Sequence, residues 1–269
     1  VLLCLCPRIG DFWSTPIACF TGIAAVLSLD ATLAGRKGAW QRPQSLLFLI
    51  AWLFALRLAF SPFLALLKQE ALHACRAEHL ALAYADHPGA VAWLIGLTTS
   101  VFGQGEFGVR AGAWLMGLVA TFFVYRTSRQ LGGSRASGLL AALLFNAVPF
   151  FFGVGLFVFP DSILVAAFAA TMYFGLLALQ SPSIIRWACL GVSLGLGLDA
   201  KYTMGSAIIS IVLFFCLERR YPFAHKGFYI GTVLCCLVFA PVLYHQAENG
   251  FSTFVFQFAD RAQAFEWHG

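Results

Sequence analysis

The sequence predicts an all-α polytopic membrane protein, and three observations lead to that fold class. Of the 269 residues, 60% are hydrophobic and 11% are charged, whereas soluble domains have about 45–50% apolar and about 25% charged residues. Apolar stretches of about 20 residues, the length of a transmembrane helix, recur along the chain. Short basic, Gly- and Pro-containing segments separate them. This composition excludes a soluble globular domain, and the recurring stretches indicate a helix bundle.

The basic residues predict the orientation of that bundle. Positively charged residues favour cytoplasmic loops, so four basic clusters are assigned to the inside. The clusters are Arg36/Lys37/Arg42, Arg126/Arg129/Arg135, Arg186 and Arg219/Arg220/Lys226. They lie at the edges of apolar runs and form no single polar stripe, so the net charge of +5 does not indicate a nucleic-acid partner.

The spans predicted between these clusters alternate in direction. They are 45–67 outward, 108–128 inward, 137–159 outward, 162–180 inward and 227–244 outward. The stretch from Arg186 to Arg219 starts and finishes inside, which predicts a hairpin with its turn at Asp199–Tyr202 deep in the membrane.

Two further features complete the predicted organisation. Residues 1–43 form a separate apolar segment with room for one more span near 14–33, and 44–269 form the transmembrane core. We expect the chain to be a fragment whose core is cut short at its C-terminus. The outer segment 68–107 predicts helices near 70–83 and at 90–102, both too short to span and therefore interfacial.

Candidate chemistry begins in this outer segment, with the strings Gln69-Glu70-Ala71 and Tyr84-Ala85-Asp86-His87-Pro88. Carboxylates there can bind a metal, orient a hydroxyl group or accept its proton. The alternative is a solvated loop whose charges face water, with Glu70 paired to its neighbour Lys68 at the surface.

Three more residues stand at the ends of predicted spans. Asp161 lies between two spans with almost no loop, which favours a position facing a cavity or partner, or a helix-capping role. Lys201 lies at the hairpin turn, where a buried cation needs either Asp199 or an anionic ligand as counter-charge. His245 follows an outward span and is either structural or a metal ligand.

Taken in order, these strings resemble the large C-type (GT-C) membrane glycosyltransferases of family 39, which include protein O-mannosyltransferases and lipid A aminoarabinose transferases. The resemblance runs from about residue 45 to the end. It is carried by Gln69-Glu70-Ala71, Asp86-His87-Pro88-Gly89, Ala92-Trp93-Leu94-Ile95, Glu106-Phe107-Gly108-Val109-Arg110, Pro160-Asp161, Lys201-Tyr202-Thr203 and Phe251-Ser252-Thr253-Phe254.

The resemblance implies a GT-C helix bundle in the bacterial inner membrane with its active site on the periplasmic side. Such enzymes move a sugar from a polyprenyl-phosphate donor to a hydroxyl or phosphate group of a lipid or protein acceptor. By this likeness, the catalytic candidates are Asp161, Asp86 and Glu70. The substrate-binding candidates are Lys201, His87, Tyr202, Arg110 and Gln69. Asp86 and His245 are candidate ligands for a divalent metal ion.

One departure from the family pattern opens an alternative function. The family's usual catalytic Asp is replaced here by Gln69, and a carboxamide cannot act as a general base near neutral pH. The chain is therefore either a diverged enzyme that relies on the remaining acids or a catalytically silent lipid-phosphate-binding or transport-type protein. A transporter predicts internal repeats with paired broken helices, but the sequence shows one broken hairpin.

Overall fold

The computed structural model of the protein describes residues 43–217, 223, 225–251 and 255. Within these residues the chain is helical, with no β-strand beyond an isolated bridge between Ala83 and Pro88. The predicted all-α fold class is confirmed. The predicted segment 1–43, apart from its last residue, and the basic residues Arg219 and Arg220 lie outside the described part of the chain.

The helices follow one another with short connections. They are α1 Pro43–Phe60, α2 Lys68–Glu78, α3 Ala90–Phe102, α4 Glu106–Gln130, α5 Arg135–Ala147, α6 Pro149–Val154, α7 Pro160–Gln180, α8 Ile184–Ala200, α9 Gly205–Leu217 and α10 Lys226–Glu248. A 3₁₀ turn at Ser61–Phe63 continues α1, and another at Tyr202–Met204 joins α8 to α9.

Four stretches of the described chain are long and apolar enough to cross a membrane. They are Leu46–Phe63, Glu106–Gln130, Pro160–Gln180 and Lys226–Glu248. These stretches confirm the predicted spans at 45–67, 108–128, 162–180 and 227–244, and the protein is a multi-pass membrane protein. We use "outer end" for the end of the bundle where α1, α5, α8 and α10 finish, and "inner end" for the opposite one.

The predicted continuous span at 137–159 is wrong. Helix α5 stops at Ala147, Val148 is extended (φ −65°, ψ 125°), and Pro149 begins the short α6. A residue before proline is pushed out of the helical region because the proline ring contacts its backbone. The chain beyond α6 then runs irregularly to Phe159, which caps α7. This irregular stretch lies at the outer end and leads directly to Asp161.

The hairpin predicted between Arg186 and Arg219 is present, and its turn is not set back from the ends of the neighbouring helices. Trp187 at the start of α8 contacts Phe215 near the end of α9, with ring centroids 6.3 Å apart, so the two helices run antiparallel. Helix α8 has 17 residues, a length of about 25 Å. Its end brings Lys201 beside Asp161, in the first turn of α7. The turn therefore lies level with the outer end of α7.

Helix α8 packs tightly between α7 and α10. Thr171 of α7 hydrogen-bonds to Ser193 of α8 at 3.1 Å. On the other side, a Cβ atom at Gly191 would lie 2.6 Å from the carbonyl carbon of Gly231 in α10, a separation that only glycine permits. Small residues let membrane helices approach this closely. The position of the α8 turn is therefore fixed from both sides.

The two outer helices are present and are anchored to the bundle. Helix α3 occupies the predicted 90–102, whereas α2 ends at Glu78, earlier than the predicted 83. Buried side chains of α3 pack against α4 and the segment before α7. This cluster consists of Val91, Ile95, Val109, Ala113 and Val158. The outer helices are thus held in a defined position relative to the start of α7.

We expect Gly191→Ala to destabilise the protein because the added methyl group would overlap the backbone of α10. Overpacking of this kind typically costs about 1–3 kcal/mol. The matched control is Gly175→Ala in α7, where the nearest atom to the added Cβ is 3.9 Å away. Thermal unfolding in detergent should show a lower melting temperature for Gly191→Ala alone; equal melting temperatures would contradict the close α8–α10 contact.

Candidate functional site

The buried ion pair between Glu70 and Arg110 joins the outer helices to the bundle. Both side chains are inaccessible to solvent, and Arg110 Nε and Nη2 lie 2.9 Å and 2.7 Å from the two Glu70 carboxylate oxygens. The remaining guanidinium hydrogens are donated to the backbone carbonyls of Ser61, Leu64 and Ala65. Every N–H of Arg110 therefore has an acceptor.

The Glu70 carboxylate is equally saturated. Besides Arg110, it accepts hydrogen bonds from the backbone N–H of Leu67 and of Val158, each at 3.0 Å. The predicted surface pair with Lys68 is wrong, because Glu70 points into the protein and Lys68 is exposed. Arg110 has no N–H left for a donor phosphate, so its geometry supports a structural role. The pair ties α2 and α4 to the segment that leads to Asp161.

The second predicted string forms a polar cluster on the outer segment. Asp86 accepts a hydrogen bond from Arg76 at 2.7 Å, and the Arg76 guanidinium stacks over Tyr84 at 4.8 Å. Partial burial alone would raise the pKa of Asp86, but the hydrogen bond and charge of Arg76 hold it below its usual value. Asp86 is thus a half-buried, ionised carboxylate with an arginine partner.

Two histidines lie beside this ion pair. The rings of His73 and His87 stack with centroids 6.2 Å apart. Burial, helped by the charge of Arg76, lowers the pKa of His73 to about 4, so this ring is neutral at physiological pH. A neutral ring can accept as well as donate a hydrogen bond. His87 remains half-buried at the surface of the cluster.

The ion pair between Asp161 and Lys201 lies at the outer end, where the start of α7 meets the turn after α8. Lys201 Nζ is 3.1 Å and 3.2 Å from the two Asp161 oxygens, and the side chains of Lys201 and Asp161 are 21% and 23% exposed. The pair is therefore accessible to a ligand. The two counter-charges considered for Lys201 were Asp199 and an anionic ligand, whereas the structure gives Asp161. Asp199 is buried, and its Oδ1 has no hydrogen-bond partner.

Helix α7 begins in a way that presents Asp161. Phe159 N–H donates to the Ser162 hydroxyl at 3.2 Å, and Pro160 takes the first helical position. Asp161 is therefore not the capping residue. It stands in the first helical turn, where the helix dipole favours a negative charge.

The remaining predicted residues lie around these groups. Gln69 is exposed on α2, next to the buried Glu70. Tyr202 is half-buried and contacts the Phe239 ring at 6.1 Å. His245 is half-buried in the last turn of α10 beside Asn249. In the described part of the chain, no group of three or more His, Cys, Asp or Glu side chains is arranged to hold a metal ion.

Sequence reasoning missed a second buried arginine. Arg57 in α1 donates to Asn146 of α5 at 2.7 Å and is sandwiched between the rings of Phe54 and Phe152, 4.7 Å and 4.8 Å away. Asn146 in turn donates to Thr121 of α4 at 2.8 Å. The signal was available, because an arginine inside an apolar span usually faces the bundle interior.

Comparison with known proteins adds to this geometry. The family model described as dolichyl-phosphate-mannose-protein mannosyltransferase matches residues 86–245. This range contains Asp86, Arg110, Asp161 and Lys201. No solved structure shows a significant match to the chain.

Curated relatives are bacterial transferases. The chain is 29% identical over 168 residues to an undecaprenyl phosphate-alpha-4-amino-4-deoxy-L-arabinose arabinosyl transferase of Erwinia tasmaniensis. The aligned region covers 60% of this chain and 30% of the relative. The chain is 26% identical over 138 residues to the corresponding transferase 2 of Proteus mirabilis, covering 50% of this chain and 25% of the relative. The matched region thus spans less than a third of the length of these relatives.

We expect Glu70→Gln to destabilise the fold strongly, because it leaves the buried Arg110 guanidinium without a counter-charge. Breaking one partner of a buried ion pair typically costs about 3–5 kcal/mol. Glu78→Gln, an exposed acid on the same helix, is the matched control. Thermal unfolding in detergent should separate the two variants; a Glu70→Gln protein as stable as Glu78→Gln would contradict the structural role.

Proposed function

The chain belongs to the dolichyl-phosphate-mannose-protein mannosyltransferase family, and we propose that it acts in a membrane glycosyltransferase that uses a polyprenyl-phosphate-linked sugar. The sugar would be moved to a hydroxyl or phosphate group of a lipid or protein acceptor. The names of the curated relatives support this donor class, because each name includes a sugar linked to undecaprenyl phosphate.

The observation that carries the proposal is the accessible Asp161–Lys201 pair. It brings a carboxylate and an ammonium group together at the outer end, within the matched region, where a membrane-dissolved donor can present its phosphate. Charged groups in a membrane bundle typically mark a substrate path. Glu70 of the buried Glu70–Arg110 pair accepts a hydrogen bond from Val158, three residues before Asp161. This contact helps to fix the position of Asp161 without using a residue of the site.

Lys201 is suited to the donor phosphate. When the bond between the sugar and the phosphate breaks, the polyprenyl phosphate leaves with an added negative charge. An ammonium group within hydrogen-bond distance of that phosphate stabilises the charge as it develops. In the described structure this ammonium group is paired with Asp161, so a bound phosphate would compete with Asp161 for Lys201.

Asp161 is suited to the acceptor. A hydroxyl group is a weak nucleophile, and a carboxylate that accepts its proton raises its reactivity. Once a bound phosphate takes Lys201 as its partner, the Asp161 carboxylate is available to the acceptor hydroxyl group and can accept its proton. The exchange couples donor binding to activation of the acceptor.

The outer cluster would form the other side of the site. Asp86 and His87 lie on the segment between α2 and α3, with Asp86 held by Arg76 and His87 stacked on His73. We assign them to acceptor or donor binding, with Asp86 as the second candidate base and as a candidate metal ligand. Gln69 is exposed nearby on α2 and can donate and accept hydrogen bonds, but cannot take a proton.

The second candidate is a catalytically silent protein that binds the lipid phosphate. Gln69 favours it, because the carboxylate that the family places at this position is absent. A silent binder would keep Lys201 as a phosphate ligand and show no transfer.

We expect Asp161→Asn to reduce sugar transfer by about 10²–10⁴-fold, the usual effect of removing a general base. Lys201→Met should weaken binding of the polyprenyl-phosphate donor. Both residues are partly exposed, so breaking their pair should change stability by about 1 kcal/mol or less. Transfer from radiolabelled polyprenyl-phosphate sugars is measured in membranes that contain the protein, with Glu106→Gln as the exposed-acid control.

The outcomes separate the two functions. Wild-type transfer by Asp161→Asn and by Asp86→Asn would exclude the proposed bases. If the wild type transfers no sugar, Gln69→Asp tests whether restoring the family's carboxylate restores activity. Donor binding that depends on Lys201, without transfer by either the wild type or Gln69→Asp, would establish the silent binder.

We also propose that the outer end faces the periplasm of the bacterial inner membrane. Single cysteines at positions 104 and 130, in a background with the native cysteines replaced, lie at the outer and inner ends. A membrane-impermeant maleimide should label position 104 in intact cells and position 130 only after the membrane is opened. Labelling of 130 but not of 104 in intact cells would invert the orientation.

A further inference from the structure

The inner end of the bundle carries a continuous set of cations, which we call the basic rim. It consists of Arg126, Arg129, Arg135, Arg186 and Lys226. These residues come from the last turns of α4 and the first turns of α5, α8 and α10. The rim was assigned above only to orient the protein, and the proposed function does not use it.

Specific contacts join the parts of the rim. A Cβ atom at Gly138 in α5 would lie 3.1 Å from Arg129 Cγ, so α5 starts against the last turn of α4. Gln130 at the end of α4 hydrogen-bonds to Gln180 at the end of α7 at 2.6 Å. The rings of Trp187 in α8 and Phe228 in α10 are 5.6 Å apart. These contacts place the helix ends that carry the five cations at the same end of the bundle.

The positive charge of the rim has no carboxylate partner within the described residues. The ion pairs of that part of the chain, Arg76–Asp86, Arg110–Glu70 and Lys201–Asp161, all lie at the outer end or on the outer segment. Rim cations contact uncharged groups instead: Arg126 donates to the Tyr173 hydroxyl at 2.8 Å, and Arg129 donates to the Gly133 carbonyl at 3.3 Å. These contacts orient the guanidinium groups without neutralising them.

Apolar side chains stand directly beside the rim cations. Phe122, one turn from Arg126, is 53% exposed, and Ile185, next to Arg186, is 74% exposed. Tyr229 is 54% exposed beside Lys226. A ligand that fits this edge carries an anionic group next to an apolar body. That combination distinguishes an acidic lipid from a nucleic acid or an acidic soluble protein.

We propose that the basic rim binds the phosphate headgroups of acidic phospholipids in the inner leaflet. Three helix N-termini, those of α5, α8 and α10, add partial positive charge at the same end. The Arg126 guanidinium is oriented by its hydrogen bond to Tyr173 and lies over the rings of Phe122 and Tyr173 at 5.8 Å and 5.4 Å. Each cation near an anionic surface favours binding roughly five-fold.

The test measures lipid binding by the intact protein. Phosphatidylglycerol is titrated against the detergent-solubilised protein, and bound lipid is counted by native mass spectrometry, with phosphatidylcholine as the neutral comparison. The double variant Arg126→Gln/Arg186→Gln should bind phosphatidylglycerol roughly 25-fold more weakly, from two five-fold steps. Lys68→Gln removes an exposed cation from the outer segment instead and should leave this binding unchanged.

Each result bears on the proposal. Equal phosphatidylglycerol binding by the wild type and the rim variant would overturn it, as would an equal loss in the outer-segment control. Inorganic phosphate that competes as well as the lipid would show a simple anion site, and an oligonucleotide that displaces the lipid would show a nucleic-acid surface; either overturns the lipid assignment. Thermal unfolding in phosphatidylcholine checks that the rim variant is folded.

Discussion

The buried pair of Glu70 and Arg110 is the interaction on which the outer half of the structure depends. A bidentate carboxylate–guanidinium contact in a low-dielectric interior is strong only if every remaining donor and acceptor is satisfied. Here three backbone carbonyls complete Arg110, and two backbone N–H groups complete Glu70. One side-chain pair thereby fixes the end of α1, the start of α2, the first turns of α4 and the segment before α7.

The geometry of the candidate site depends on the Glu70–Arg110 pair. Val158 donates to Glu70, and three residues later Asp161 faces Lys201 at the end of α8. Close packing of α8 against α10 at Gly191 and Gly231 fixes the opposite partner. The carboxylate and the ammonium group of the site are thus each held by contacts outside the pair, while the pair itself stays accessible.

The sequence predicted the helices well and the pairing of charges poorly. Hydropathy and basic loops located α1, α4, α7 and α10, because spanning length and charge are local properties. The burial of Glu70 depends on Arg110, 40 residues away, and Lys201 finds Asp161 across the same separation. No spacing rule along one helix reports such contacts. The break at Val148 was different, since the proline after it is a local signal that the long apolar run obscured.

The two buried arginines, Arg57 and Arg110, also differ in when their partners become available during synthesis at the membrane. A charged side chain within a membrane span is costly to leave without a partner. Arg110 leaves the ribosome after its partner Glu70 has already been made, so its charge can be matched as α4 enters the bilayer. Arg57 precedes Asn146 by 89 residues, so α1 must wait for α5 before its guanidinium group has that acceptor. Until then the Arg57 guanidinium lacks that acceptor, and assembly of the bundle is completed only when α5 arrives.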